Sequence, residues 1–507
     1  MAHPSWMKGS SAFPSPVLQI FFDTIEFFIR PFMWCLTGTF GPFLPTTKEL
    51  KHPKYLILQK LFFVPIYAAG ALLLLLPVIV AFLFRNILHQ FRRPFCLSVQ
   101  KDKAVASPKS TYSVATSNLC LMPEIFSKFN NLDKTAERAV KVGERIVIDQ
   151  LHYTDMMEKF LKKSDHTIRN GAIYSHEHSG VQTRSMDKSK NLNSSQNRDS
   201  DVKVDVVAHF PQLDFLCLQE TFDRDFTKLL VSELHKVYPW IVYDVGYNSP
   251  RLNYCGLNSG LMFASRYEIL EIKFKPFTSR CGFCTIVGKG LLMVKVCVQK
   301  RTNGGNDVGF IFDTHLQAFQ GDNPVVYHQL TEILDWSSEF REETIESGDN
   351  VLFDMLCGDF NIDNMSPGDV HISDHKLFET YVDICREKPG KDYDWTVGTE
   401  LRTPLLHEEA VSTPEGLKTV LEDPYLRQYY LIDADIESAT MDAIYNAPLK
   451  KDAHGNLILS PVGGRRRIDV VLYRKESPVK IQNYNIITRL APLTDHIPVS
   501  VTFSCDN

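Results

Sequence analysis

The sequence has little of what would mark a disulfide-stapled, zinc-dependent or nucleic-acid-binding protein. Its 507 residues include 11 cysteines, scattered and mostly set in apolar runs, as at Cys120, Cys217, Cys297 and Cys357. That usage reads as reduced core thiols facing a reducing compartment. Cys281-x-x-Cys284 is the one close pair. Without a second pair or a neighbouring His it makes neither a zinc nor a redox motif. The net charge of −5 gives no basic excess, so no nucleic-acid partner is expected. No internal repeat is present. The amino-terminal region lacks the short uncharged core and small-residue cleavage site of a secretory signal.

Charge is missing altogether from Leu61 to Phe84, 24 residues long. That length is enough to cross the hydrocarbon core of a bilayer. An earlier apolar stretch, about 20–44, is interrupted by Asp23, Glu26 and Arg30. Each charge costs roughly 2.5–3.5 kcal/mol at a bilayer centre, which argues against a simple span. Lys48, Lys51, Lys54 and Lys60 precede the second stretch, and Arg85, Arg92 and Arg93 follow it. Cationic flanks at both ends favour a re-entrant or hairpin insertion, with Pro65, Gly70 and Pro77 available for a bend. Residues 1–104 therefore read as a membrane-associated domain and 105–507 as a catalytic one. Arg92 and Arg93 are expected to meet anionic phospholipids acting as activators.

In the catalytic part, residues 111–122 read as a strand with a polar end, and Leu132 to Leu161 as a helix. Residues 162–203 are rich in Ser, Asn, Asp, Lys and His. Such a segment buries too little to order itself and reads as a disordered insertion. Short apolar strands then recur, among them "FLCLQE", "GLMFAS", "GLLMVKVCV", "VGFIFDTHL", "MLCGDF", "IDVVLY" and "VSVTFS", with helical patterns between some of them. The pattern points to two sheets packed face to face with helices outside.

Several of these strands carry a polar residue of catalytic type at or beside an end. They are Asn118, Glu220, His315, Asp359 with Asn361, Asp469, and Asp495 with His496. Taken singly, an Asp at a strand end is usually a cap and a lone His a structural residue. Together, carboxylates and amides without a Cys/His ligand set favour a hard cation such as Mg²⁺ or Mn²⁺. A His with a carboxylate to orient it makes a general base near neutral pH. The combination suits hydrolysis of a phosphate ester.

The ordered motifs "SNLCLMP", "LCLQE", "THLQA", "CGDFNID", "RRIDVV" and "LTDHIPV" resemble the endonuclease/exonuclease/phosphatase superfamily. The resemblance implies an α+β fold, a four-layer α/β/β/α sandwich of the deoxyribonuclease type. It also implies roles. Glu220 resembles the main metal ligand, with Asn118 and Asp495 in the metal network. His496 resembles the general base and Asp469 its orienting carboxylate. Asp359 and Asn361 resemble the pair that flanks the attacked phosphorus, and His315 the histidine assisting the leaving group.

"LDFLCLQETFD", "LNSGLMFASRY" and "GRRRIDVVLY", with the paired hydrophobic segments, are similar to the membrane-anchored neutral sphingomyelinases. The short insertion is more like the mitochondrial branch than the long-linker branch. This implies Mg²⁺-dependent hydrolysis of membrane sphingomyelin to ceramide and phosphocholine, with Lys289 a substrate contact. The implied location is a mitochondrial or endoplasmic reticulum membrane, the Golgi and the inner plasma membrane being alternatives. A nuclease or inositol polyphosphate 5-phosphatase of the same fold is the alternative activity. Cys284 stands where the long-linker branch has an Asp five residues before Lys289, so that branch's carboxylate–lysine switch does not carry over.

Overall fold

The computed structural model describes residues 9–100, 106–170, 202–246, 257–302, 304–445 and 449–505. In chain order the strands are β1 (Cys96–Val99), β2 (Thr111–Asn118), β3 (Lys203–Val207), β4 (Phe215–Gln219), β5 (Trp240–Tyr243) and β6 (Met262–Ser265). There follow β7 (Glu268–Pro276), β8 (Gly290–Lys300), β9 (Asn306–His315), β10 (Asn350–Asp359) and β11 (Tyr381–Val382). After the small hairpin β12 (Arg386–Lys388) and β13 (Lys391–Asp392) come β14 (Asp469–Arg474), β15 (Val479–Ile487) and β16 (Val499–Cys505). One sheet has the order β1-β5-β6-β4-β2-β16-β15-β3, the other β11-β14-β10-β9-β8-β7.

The two sheets meet through Val114, Phe215, Phe263 on one side and Ile311, Phe353, Val471 on the other, all buried. Helices Thr135–Asn170 and Arg224–Leu234 cover the first sheet with Ala139, Val142, Ile146 and Leu230. Helix Val325–Thr344 covers the second with Val326, Leu330, Ile333 and Phe340. Apolar residues recur at three- and four-residue spacing in these helices, which is why each has one face to bury. The result is the expected α/β/β/α sandwich.

The expected insertion at 162–203 begins later than composition suggests. Helix Thr135–Asn170 runs on to Asn170 and β3 starts at Lys203. Residues 171–201 lie outside the described residues. The boundary expected at 104/105 also moves. β1 pairs antiparallel with β5 as an edge of the catalytic sheet, so the catalytic unit begins before Cys96.

The two hydrophobic segments form helix Pro16–Phe40 and a helix running from Pro53 to His89. Residues 53–89 make a helix long and apolar enough to cross a membrane. The second helix does not fold back at its prolines. It continues past Pro65 and Pro77 after a wide π turn at Gln59–Phe63. The hairpin lies instead between the two helices, where the ring of Trp34 packs on that of Tyr67 and the ring of Phe21 on that of Phe84. Gly38 permits this approach, since a β-carbon there would collide with the Tyr67 ring. The charges of the first segment find partners. Glu26 pairs with Arg85, and Arg30 with Asp225 of the catalytic body at 2.7 Å. A Thr46–Glu49 capping box starts the short helix of the turn between them.

Arg92 and Arg93 do not face a membrane surface. Arg92 is buried against Asp244 (2.6 Å). Arg93, also buried, donates to the Ser11 and Phe13 carbonyls at 2.8 and 3.1 Å. A guanidinium holds planar, multiple hydrogen bonds, and here both find fixed acceptors inside the protein. They are joints between the hairpin and the catalytic body.

Candidate active site

Strand register gathers the polar residues at one end of the sandwich. In the parallel β2–β4 pair Asn118 lies opposite Gln219, which sets Glu220 one step beyond it. Asp359 lies opposite His315 in β9–β10 and opposite Asp469 in β10–β14. Asp495 and His496 arrive on the loop before β16. Gly358 has φ 151°, and a β-carbon there would run into the Thr314 carbonyl. The turn that follows is tight. Glu220 (φ 57°) and Asn361 (φ 53°) both adopt left-handed backbone, a strain that structures concentrate at functional sites.

His496 Nδ1 is 2.9 Å from Asp469 Oδ2, and its Nε2 is 4.0 Å from Asp359 Oδ2. Burial disfavours charge on His496, but Asp469 and Asp359 outweigh it and hold the imidazole well above its ordinary value. Burial lifts Asp469 to about 6. Orientation of the ring by Asp469 leaves Nε2 as the working nitrogen. Asp359 is held from two sides: Asn118 Nδ2 donates to Oδ2 (2.9 Å) and the Asn361 amide to Oδ1 (2.9 Å). Burial opposes its charge, yet His315, His496 and Lys289 keep its carboxyl below the usual range.

His315 stands differently from the acid that the sequence suggests. Lys289 Nζ donates to its Nε2 at 2.8 Å and to the Leu316 carbonyl at 2.7 Å. Burial first, then the Lys289 charge, drives His315 well below its ordinary value. A neutral imidazole whose Nε2 already accepts a bond is not a ready proton donor. The charged member of this pair is Lys289.

Glu220 fits a hard cation. Its Oε2 is buried and has no hydrogen-bond partner. Burial, then Asp495, raises its carboxyl to about 7. Asp359, Asp469 and His496 also bring ligand-type atoms within 4.8 Å of one another. Asp469 and His496 are bonded to each other, however, so that trio is a base dyad beside a carboxylate. Glu220, with Asp495 close enough to raise its pKa, is the better holder of a divalent ion. Asn118 is already engaged by Asp359 and by the Cys120 amide, which donates to its Oδ1 at 3.0 Å. It organises the carboxylates.

The arrangement offers an oriented base, a negative site for a hard cation and a fixed cation, Lys289, around one buried carboxylate. That is the equipment of phosphoester hydrolysis. The chain belongs to the endonuclease/exonuclease/phosphatase family, whose model matches residues 189–496. Along nearly its whole length it is similar to Sphingomyelin phosphodiesterase 5 of Danio rerio, with 30% identity covering 97% of this chain and 98% of that one. It is 37% identical to Sphingomyelin phosphodiesterase 3 of Homo sapiens, over 59% of this chain and 45% of that longer one. Among solved structures, a mutant beta toxin from Staphylococcus aureus with bound magnesium ions matches at TM-score 0.41 and 14% identity. That match covers 78% of this chain and 99% of the toxin.

Two supports escape a reading of the sequence. Arg138, on the covered face of its helix, donates to the Leu119, Cys120 and Leu493 carbonyls at 3.2, 2.7 and 2.8 Å, tying two catalytic loops together. A charge beside Ala139 and Val142 on a buried face is the available signal. The second support is the segment 398–401, which carries no motif.

Proposed function

We propose that the protein is a Mg²⁺-dependent neutral sphingomyelinase, hydrolysing sphingomyelin to ceramide and phosphocholine at an intracellular membrane, mitochondrial or endoplasmic reticulum. The observation that carries the reading is the His496–Asp469 pair (2.9 Å) beside Asp359, in a chain similar end to end to a sphingomyelin phosphodiesterase. Asp469 and Asp359 hold a proton on His496 while their charge is bare. With that charge offset by a cation at Glu220, His496 would be free to take the proton of the attacking water on Nε2, and Asp469 would steady the imidazolium that forms. Asp359 and Asn361 hold the water and the phosphoryl group. Lys289 lies on the His315 side. There it offsets charge on the ceramide oxygen as its bond to phosphorus breaks and can pass that oxygen a proton, so that ceramide leaves as the neutral alcohol. A divalent cation at Glu220 would supply Lewis-acid neutralisation of a phosphoryl oxygen.

The apolar hairpin supports action at a membrane, since it would keep the cleft beside a substrate that never leaves the bilayer. Of the cationic flanks expected to meet anionic lipid, the exposed Lys48, Lys51 and Lys54 of its turn keep that role and the buried Arg92 and Arg93 do not. Purified full-length protein with Mg²⁺ and either sphingomyelin, phosphatidylcholine or abasic DNA tests the reading. Phosphocholine and ceramide from the first alone are the expected products. Cleavage of DNA, or of phosphatidylcholine at an equal rate, would overturn the substrate assignment.

A further inference from the structure

The base and its orienting carboxylate come from different sheets. Asp469 opens β14 of the six-stranded sheet, while His496 precedes β16 of the eight-stranded one. A side-chain bond of 2.9 Å across two packed sheets needs something that fixes their relative position. The apolar layer between them is not directional. The side-chain bonds that cross it, Asn118 to Asp359 (2.9 Å) and Gln219 to Asp313 (2.6 Å), tie β2 and β4 to β10 and β9 but reach neither Asp469 nor His496.

The segment Gly398–Thr399–Glu400–Leu401 does this by bonding to both sides. Toward the Asp469 side, the Thr399 amide donates to the Arg466 carbonyl (2.9 Å), and the Thr399 hydroxyl accepts from the Ile468 and Asp469 amides, both at 3.1 Å. Toward the His496 side, the Ile497 amide donates to the Thr399 carbonyl (2.8 Å) and the Leu401 amide to the Asp495 carbonyl (2.9 Å). Glu400 is bridged antiparallel to His496 itself. Gly398 is required at the start, because a β-carbon there would come within 2.8 Å of the Arg466 carbonyl oxygen.

The Glu400 side chain extends the same function to the third catalytic loop. Its Oε2 accepts from Arg466 Nε at 2.9 Å, and Arg466 Nη2 donates to the carbonyl of Asn361 at 3.3 Å. Arg466 is 2% exposed, so its charge has no access to bulk water. Glu400 is the nearest carboxylate to it, Asp369 standing at 3.7 Å. Glu400 therefore neutralises a buried guanidinium and aims it at the backbone of Asn361. One strap of chain touches Asp469 and His496 through its backbone and hydroxyl, and Asn361 through one ion pair.

We propose that Thr399 and Glu400, acting with Arg466, form a positioning element that holds Asp469, His496 and Asn361 in one constellation across the sheet interface. None of the three touches the reacting atoms. The proposal rests on the reading of His496 as the base. Loss of Glu400 displaces catalytic groups by fractions of an ångström, and displacement of that order costs turnover rather than binding.

The test is kcat and KM of full-length protein on sphingomyelin in mixed micelles and on bis(p-nitrophenyl) phosphate, which probes the machinery without lipid recognition. Glu400→Ala is expected to lower kcat on the order of 10- to 100-fold on both substrates with KM within about twofold. Glu400→Gln keeps an acceptor for Arg466 Nε, and with Asp369 at 3.7 Å still facing the guanidinium it restores most of the rate. Thr399→Val lowers kcat in the same way, and Thr399→Ser restores it. His496→Ala run in parallel separates the two readings. If His496→Ala retains near-normal kcat, the base assignment fails and the positioning role fails with it. If His496→Ala is inactive while Glu400→Ala and Thr399→Val turn over normally, the strap alone is overturned. A Glu400→Ala defect that follows the loss of folded protein, with no rescue by Gln, overturns it equally.

Discussion

The joint between hairpin and catalytic body and the catalytic cleft both bury charge, and they differ in how completely they pair it. At the joint, Asp244 receives Arg92 at 2.6 Å, Arg224 at 3.0 Å and the Asn258 amide at 3.1 Å. Burial opposes its charge, but the two guanidinium groups outweigh burial and hold the carboxyl far below its usual range. In the cleft, Glu220 keeps one oxygen without a partner and rises to about 7. Asp469 Oδ1 is likewise buried and unbonded. Pairing buried charge makes a structural joint; leaving it unpaired leaves affinity for a cation or a proton. The same residue types serve both ends, and the difference lies in what each carboxylate faces.

The comparison breaks most visibly under substitution of one residue from each region. His496→Ala removes the base and should lower turnover by about 10³-fold or more, with the melting temperature close to that of the parent. Asp244→Ala leaves Arg92 and Arg224 buried without their shared carboxylate, and should destabilise by roughly 3–5 kcal/mol. Protein that stays folded should retain its micellar turnover. Chemical denaturation read beside kcat tests both. A His496→Ala protein that turns over normally, or an Asp244→Ala protein of unchanged stability, would erase the distinction between the two regions.

A smaller effect concerns the cation. Chelation should stop turnover, and restoring Mg²⁺ should recover it. Since Glu220 takes up a proton near pH 7, a cation must displace that proton at lower pH. The apparent Mg²⁺ affinity should therefore weaken as pH falls below about 7, by up to roughly tenfold per pH unit. It should level off above that pH. Isothermal titration at pH 6, 7 and 8 measures this. A flat profile would assign the cation to carboxylates already ionised, such as Asp359, and would separate Glu220 from the metal.

Much of this is legible in the sequence because strand ends carry the site. Residues 215–219 and 350–359 read as apolar runs that end in a polar group, and register then fixes which polar groups become neighbours. The strands that escape reading are the polar or short ones. β7, "EILEIKFKP", alternates charged with apolar residues at a sheet edge, and β1 is only four residues long. Arg92 and Arg93 mislead because a cluster of cations after an apolar helix reads as membrane-facing. Only the fold reveals Asp244, 152 residues from Arg92, as the partner of Arg92. The strap at 398–401 is invisible for a related reason. Part of its function is carried by backbone groups, which every residue has, and the partners of its two side chains, the Ile468 and Asp469 amides and Arg466, are 66 to 70 residues away.

The smallest expected effect per substitution tests the outer face of the hairpin. Lys48, Lys51, Lys54 and Lys60 are exposed, and beside them Leu50, Tyr55 and Leu58 are 54%, 57% and 46% exposed. Apolar side chains that enter an interface while neighbouring ammonium groups stay at its surface suit an anionic membrane. Each such charge is worth roughly 1 kcal/mol near an anionic surface, and salt screens it. Lys48→Gln, Lys51→Gln and Lys54→Gln together should reduce stimulation by phosphatidylserine or cardiolipin vesicles, by at most about fivefold per charge. The difference should shrink as ionic strength rises, while the rate in neutral micelles stays unchanged. Arg92→Gln should act the other way round, lowering stability with little specific effect on the lipid response. If the triple-lysine variant kept its full response while a stably folded Arg92→Gln protein lost it, the joint would be the lipid sensor. The contrast between a paired interior and an open surface would then be drawn in the wrong place.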